Sequence, residues 1–290
     1  MNREFVADEP GPVSVDAMLA TYGGMIDVRT EPECQRARIT ISVAGETGPA
    51  VDAVRSAELR SIGDGALRLC ISDPSVPIPA GTERGPWSGD GIGPSGHAVV
   101  VGVVVPEGSR VTAETQFASI TAVGLESVSA IAGGDGSVSV GQVGEARIVT
   151  RHGAAQVQQA ELVQVESAAG KVIVHEAGSV RASSGTGSIW VGSGHDVDLR
   201  SESGKIELGR AEGKTSARTA GDVTVRDFAG GTARLLSTGT GNITVHATGG
   251  GDIRASTMSG SIAITAAADA AGRPRTNRQP DRPNCCSRRR

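Results

Sequence analysis

Hydrophobic and polar positions repeat along the middle of the chain with a period of 17 residues. From residue 136 to residue 221 a glycine returns at every 17th position, and two rows with steps of 20 and 19 follow. These glycines are Gly136, Gly153, Gly170, Gly187, Gly204, Gly221, Gly241 and Gly260. A sustained period of this size is typical of a solenoid, in which each repeat forms one coil that its neighbours bury.

Each row carries two apolar pairs in alternation with polar residues. One pair lies two and four residues after the glycine, as in Val172 and Val174, and the other seven and five residues before the next glycine, as in Val180 and Ala182. Alternate residues of a strand share a face, so each pair predicts a short strand with one buried side. We therefore predict an all-β, single-chain β-solenoid (β-helix) with coils of about 17 residues, in which two parallel sheets enclose a thin apolar interior.

Two rows keep the alternation only when they are shifted by one residue. They read Thr215, Ala217 and Thr219, and then Ala233, Leu235 and Ser237. A one-residue slip would turn every side chain to the opposite face, so we expect a bulge or a corner to absorb each shift.

Glycine and hydroxyl residues mark one corner of the coil. A hydroxyl stands three residues before several of the glycines, at Thr150, Ser167, Ser184, Ser201 and Thr257. Such a column either satisfies backbone groups of the turn or forms an exposed row that binds a ligand, and its place beside the glycine favours the first interpretation. We expect the glycines themselves to have a positive φ.

The chain divides into four segments by composition. We expect a flexible N-terminus at 1–20, an N-terminal β cap at 21–115 with a Gly/Pro-rich loop at 81–96, β-helix repeats at 116–265 and a disordered Arg/Pro-rich tail at 266–290. The residues from Arg273 to Arg290 carry a net charge of +6, which leaves −10 for residues 1–272, since the whole chain carries −4.

Composition narrows the class of protein further. Aromatic residues make up 2% of the chain, which suits a core only two short strands wide. No apolar stretch reaches the length of a membrane-spanning helix, and the first residues lack the apolar core of a signal peptide. We therefore predict a cytoplasmic protein, with a surface or secreted location as the alternative if the true start lies upstream. The four cysteines fit neither a disulfide framework nor a zinc site.

Catalytic and cofactor motifs are weak. The segment Gly91–Gly96 matches the dinucleotide pattern G-x-G-x-x-G, but a Val-rich strand follows it where a helix would have to begin. One outward column mixes charges, at Arg147, Gln164, Arg181, Asp198 and Arg254, which favours a solvated face with cross-strand pairing. We predict no cofactor, no metal and no enzymatic activity.

Trp190 is the most distinctive outward residue. It lies between Ile189 and Val191, so its ring is expected to point away from the core. An exposed tryptophan beside basic groups can hold a sugar or a protein, whereas the alternative is a ring that lies across neighbouring side chains or beneath residues 81–96. The candidate ligand or partner surface comprises Trp190, Lys171, Arg181, Lys205 and Glu207.

Several rows resemble a known family. Ser203–Leu208 (Ser-Gly-Lys-Ile-Glu-Leu), Ala220–Val225 and Ser259–Ile264 are similar to the rows of the bacterial "putative adhesin" family of β-strand repeat proteins, and Val103–Val111 resembles the strand that leads into those repeats. The likeness covers roughly residues 20–265. It implies a β-helical domain of unknown function, adhesin-like by resemblance, and it supplies no catalytic residues.

These features favour a non-enzymatic binding or scaffolding role, because a solenoid offers long ladders that suit extended partners. The alternative is a polysaccharide-binding or polysaccharide-cleaving protein that uses the Trp190 face. The partner is expected to be a protein or a polysaccharide. Nucleic acid would bind only weakly through the Arg-rich tail, and the C-terminal coil could self-associate.

Overall fold

The computed structural model describes residues 1–63, 65–71 and 98–267, and the backbone of residues 275–278. The strands are β1 (Asn2–Val6), β2 (Ser14–Thr30), β3 (Arg38–Val43), β4 (Glu58–Gly63), β5 (Ala66–Ile71), β6 (Val99–Val105), β7 (Arg110–Val123), β8 (Ser127–Ala132), β9 (Val138–Thr150), β10 (Ala155–Ser167), β11 (Val172–Ser184), β12 (Ile189–Ser201), β13 (Ile206–Thr219), β14 (Val223–Ser237), β15 (Ile243–Ala247), β16 (Gly251–Thr257), β17 (Ile262–Ala266) and β18 (Arg275–Arg278). A helix, α1 (Pro49–Ser56), lies between β3 and β4. The loop expected at 81–96, with its G-x-G-x-x-G segment, lies outside the described residues.

The repeats form a β-solenoid of about nine turns with about 18 residues in each, which confirms the predicted fold. Strands of successive coils pair in parallel, so that Ala155 lies beside Val172 and Val172 beside Ile189. The average number of residues per turn exceeds 17 because some turns are longer. Val223, for example, pairs with Ile243, which lies three residues beyond the position that a 17-residue step would give.

Each regular coil is one bent strand rather than two separate ones. In β10 the first arm is Ala155–Val157 and the second arm is Leu162–Ser167, and the residues between them stay in register with β11. Small buried residues such as Ala160 and Ala177 occupy the bend. The two predicted sheets are therefore the two arms of one continuous sheet of 18 strands.

Bulges absorb the two shifted rows, as predicted. The register between β12 and β13 changes after Gly194, and the register between β13 and β14 changes after Ala211. Gly213, Gly230 and Gly231 adopt positive φ angles of 107°, 149° and 92° around these irregularities. The apolar alternation then continues on the inner face.

The row glycines serve a different purpose from the one that we expected. The prediction of positive φ is wrong, because none of the eight row glycines belongs to the described glycines with positive φ. Each lies against the coil before it, and a Cβ on Gly170 would overlap the carbonyl oxygen of Gly153. Close stacking of the corner thus excludes any side chain at these positions.

The hydroxyl column satisfies the same corner. The Ser201 hydroxyl accepts a hydrogen bond from the Gly204 N–H (2.9 Å) and donates one to the Gly187 carbonyl (3.3 Å). Beyond the bulged coils, the Thr257 hydroxyl repeats this arrangement: it accepts a hydrogen bond from the Gly260 N–H and donates one to the Gly241 carbonyl. Both hydroxyls are buried. The prediction of a structural ladder is confirmed at these positions.

Strands of the N-terminal part pair with one another and with the first coils. β2 pairs with β5 and β6 on one side and with β7 along most of its length, so coiling begins at Ser14, inside the segment expected to be flexible. β1, β3 and β4 add antiparallel pairs, and α1 packs its buried face, which includes Val51 and Val54, into the core at this end. At the other end, the backbone of residues 275–278 pairs with β16.

Candidate functional site

Trp190 lies on the outward side of the first arm of β12, as the alternation predicts. It stands in register between Ile173 of β11 and Glu207 of β13 and is half-buried. Its ring meets the His175 ring edge-on, with the centroids 5.1 Å apart and the planes at 71°. A Cβ on Gly192 would lie 3.1 Å from Trp190 Cη2, so the indole leans over that glycine and along the sheet.

Glu207, beside Trp190, is held by two cations. Lys205 Nζ lies 2.5 Å from Glu207 Oε1, and Arg226 Nη2 lies 3.5 Å from Oε2. The hydrogen bond from Lys205 is the largest cause that lowers the pKa of Glu207, and the charges of Lys205, Arg226 and Lys171 add to it while partial burial opposes it. Glu207 is therefore an anion near neutral pH and is suited to accept hydrogen bonds rather than to donate a proton.

The five predicted surface residues do not share one face. Lys171, Trp190, Lys205 and Glu207 lie on or just before the first arms of β11, β12 and β13. Arg181 lies on the second arm of β11, beyond the bend at Ala177, beside Asp198 of β12. The structure therefore places Arg181 at a different site from Trp190.

That second site is a groove of about 740 Å³ along the second arms from β10 to β16, here called the second-arm groove. Its cations are Arg181, Arg200, Lys214, Arg234 and Arg254, and its acids are Asp196, Asp198 and Asp252. Arg200 pairs with Asp198 at 3.1 Å and Arg254 with Asp252 at 3.2 Å. Lined by five cations and three acids, the groove carries an excess of positive charge on a chain of net negative charge.

The sequence predicted only part of this groove. Arg181, Asp198 and Arg254 belong to the outward column that we interpreted as a solvated face. Arg234 was missed because β14 is shifted, and only the shifted alternation through Ala233 and Leu235 places it in that column. Applying the one-residue shift to the outward side chains would have found it.

A smaller groove of about 550 Å³ follows the bend between the arms. Glu161, Glu176, His195, Arg210 and Glu212 contribute polar groups to it. Arg210 bonds to Glu212 at 2.7 Å and to Asp227 at 3.1 Å, so its charge is neutralised locally. Across residues 1–63, 65–71 and 98–267, no group of three or more His, Cys, Asp or Glu side chains has the geometry of a metal site.

None of the helical segments in the described part of the chain has the length and apolar character needed to cross a membrane.

Comparison with known proteins returns solved structures only. Neither the known protein families nor the curated proteins yield a match. A "putative adhesin" from Parabacteroides merdae ATCC 43184 is 12% identical with a TM-score of 0.35, covering 96% of this chain and 95% of that chain. A "putative adhesin" from Parabacteroides distasonis ATCC 8503 is 12% identical with a TM-score of 0.35, covering 96% of each chain.

A "putative cell adhesion protein" from Clostridium sporogenes ATCC 15579 is 10% identical with a TM-score of 0.29, covering 92% of this chain and all of the other. The two Parabacteroides structures carry the words "putative adhesin", which also name the family that the repeat rows resemble.

Proposed function

We propose that this chain is a non-enzymatic binding or scaffolding protein whose outer ladders hold an extended partner. The observation that supports the proposal most directly is the second-arm groove, which crosses six successive coils in fixed register. A rigid surface of this length holds an extended ligand without ordering a loop first. An adhesin-like role, which the resemblance implies, would be a binding role of this kind.

The acids of the groove favour binding over catalysis. Hydrolysis of a glycosidic bond requires one carboxylic acid that donates a proton and a second carboxylate across the bond. Here Asp198 and Asp252 each face an arginine, and Asp196 Oδ1 accepts a hydrogen bond from the Lys214 N–H at 3.3 Å. All three carboxylates are thus engaged by cationic or backbone groups of the chain itself.

A glycan and protein array tests the proposal. The full chain is first screened for retained ligands, and each ligand is then incubated with the chain and analysed for new reducing or unsaturated ends. We expect retention of an extended ligand that is recovered intact. Cleavage products that disappear in Asp198→Asn or Asp252→Asn would overturn the non-enzymatic proposal.

Trp190 supports the second candidate, a polysaccharide-binding or polysaccharide-cleaving protein that uses the first-arm face. The half-buried indole lies beside the anionic Glu207, and a sugar ring could stack on the indole while Glu207 accepts its hydroxyls. If the chain has this second function, Trp190→Ala should abolish binding of a neutral glycan, and Trp190→Phe should retain most of that binding. Equal binding by both variants and the native chain would contradict it.

The remaining predictions about partners and location have direct tests. Self-association at the last coil predicts a dimeric solution mass for the full chain, since β17 pairs with β15 on one edge only among the described strands. Binding of nucleic acid through the tail predicts that removal of residues 273–290 abolishes it. The cytoplasmic location stays a prediction, which fractionation of producing cells tests.

A further inference from the structure

Five successive coils each place a cation in the second-arm groove. Arg181 comes from β11, Arg200 from β12, Lys214 from β13, Arg234 from β14 and Arg254 from β16. By register, Arg181, Arg234 and Arg254 share one column, while Arg200 lies two residues to one side of it and Lys214 two residues to the other. The cations therefore form a broad positive band across the coils rather than a single row. All five side chains are exposed to solvent.

The fold itself gains little from this arrangement. Arg234 and Arg254 are register partners on adjacent strands, and Arg200 and Arg218 form a second such pair. Like charges directly opposite each other destabilise a sheet. Within the described residues, the guanidinium of Arg234 has no acidic partner, and neither does that of Arg181. A bound anion would relieve this repulsion and supply the missing partners.

The arginines call for an anion, whereas Asp198 calls for a hydrogen-bond donor on the ligand. Its Oδ2 pairs with Arg200, whereas its Oδ1 is buried and accepts no hydrogen bond within the described part of the chain. A carboxylate oxygen can accept more than one hydrogen bond, so the accessible part of this side chain, which is 30% exposed, can accept one from a ligand hydroxyl beside Arg200. The groove therefore suits a ligand that offers both anionic groups and hydroxyl donors at short intervals.

An anionic polysaccharide meets these requirements better than other polyanions. Each charged sugar carries several hydroxyls together with a carboxylate or sulfate, so both kinds of group recur along the whole polymer. The acidic residues of a peptide offer carboxylates but carry no hydroxyl on the same side chain. Single-stranded nucleic acid binds through base stacking on aromatic rings, and no aromatic side chain is present among the described residues that line this groove.

We propose that the second-arm groove binds an anionic polysaccharide along the solenoid axis, with its cations on the carboxylates or sulfates and Asp198 on a hydroxyl. The inference rests on the proposed binding function and names the face and the partner class. It does not involve Trp190, which lies on the first arm.

Binding of the full chain to four probes tests the inference: polygalacturonate, dextran sulfate, uncharged dextran and single-stranded DNA, each at low and high salt. We expect one or both anionic polysaccharides to bind, more weakly at high salt, and uncharged dextran not to bind. Preference for polygalacturonate identifies carboxylate as the recognised group, and preference for dextran sulfate identifies sulfate.

The double variant Arg234→Gln/Arg254→Gln should lower the affinity by about tenfold or more, because two charge-assisted contacts are lost. Arg147→Gln is the matched control, since Arg147 is exposed in the same outward column but outside the groove. Thermal melting verifies folding. The double variant should melt close to the native chain, because removal of the like-charge pair offsets the loss of the exposed Arg254–Asp252 ion pair.

Equal affinity of the native chain and the double variant would overturn the inference, and so would tighter binding of DNA than of either polysaccharide. If neither anionic polysaccharide binds while a neutral glycan or a protein is retained, the inference fails and the proposed function stands. If the chain retains no ligand on any array, both fail.

Discussion

Gly187 stacks directly on Gly170, so close that a Cβ on Gly187 would overlap the carbonyl oxygen of Gly170. The same contact links Gly170 to Gly153 and Gly204 to Gly187. This stacking brings the corners of successive coils together and explains why the glycine recurs with the period of the coil. Glycine is therefore required in this column because a side chain would collide with the preceding coil, and not because the backbone needs a positive φ.

Gly187→Ala should therefore destabilise the solenoid by about 3 kcal/mol or more, because the methyl group can be accommodated only if two coils move apart. Gly133→Ala is the matched control, since its Cβ would meet the Thr115 carbonyl oxygen at 3.7 Å, an ordinary contact, without a positive φ. The free energy of unfolding from urea titration measures both. A cost for Gly187→Ala similar to that of Gly133→Ala would contradict the stacking explanation.

Ser201 and Ser184 occupy adjacent positions of the hydroxyl column but differ in their bonding. Ser201 bonds to Gly187 and Gly204, whereas the buried Ser184 hydroxyl has no partner among the described residues. Ser201→Ala should cost about 1–2 kcal/mol, because it leaves a buried N–H without an acceptor, and Ser184→Ala should be close to neutral. Urea unfolding of both variants compares them, and equal costs would show that the hydroxyls act through packing alone.

The periodic sequence predicts those parts of the fold that depend on burial. Val172, Val174 and their counterparts recur because each coil buries the same inner positions, and a shifted row such as Ala233 and Leu235 still reveals its register. The reason for the glycines could not be predicted, because a sequence shows where glycine is required but not whether dihedral angle or contact requires it. Only part of the second-arm groove was predicted, for a related reason: charge on an outer face has no periodic requirement, and the bulges move Arg234 out of the simple column.

Glu207 should show a pH dependence that Lys205 controls. Its folded-state pKa is lowered, chiefly by the Lys205 hydrogen bond, so the resulting stability is present above the ordinary carboxyl pKa and is lost as the pH falls through the lowered value. In Lys205→Met, the pKa of Glu207 should rise toward its ordinary value, and the free energy of unfolding at neutral pH should fall by less than about 1 kcal/mol.

NMR titration of the Glu207 side-chain carboxyl measures this pKa. Lys171→Met is the control, since Lys171 acts through its charge alone and is the smallest of the named causes. A larger pKa change in Lys171→Met than in Lys205→Met would contradict the assignment. The stability difference between the native chain and Lys205→Met should also disappear below the lowered pKa.

Phe228 fills the bend of a coil that is longer than its neighbours. Its ring is fully buried, while the residues in register on either side, Ala211 and Ala247, are small. Next to Phe228, Ala229 is an extra residue without a register partner on β13. A Cβ on Gly251 would lie 2.8 Å from Phe228 Cε1, so this glycine leaves room for the ring. The large side chain at the bend thus occurs in a coil that is longer than its neighbours.

Phe228→Ala should cost about 3–5 kcal/mol, because alanine neighbours cannot fill the space that the ring leaves. Phe228→Leu retains most of the apolar volume and should cost about 1–2 kcal/mol. Urea unfolding of both variants gives the comparison, with circular dichroism to verify that the strands persist. If Phe228→Ala costs no more than Phe228→Leu, the longer coil closes over the missing ring, and the ring is then not what determines the length of this coil.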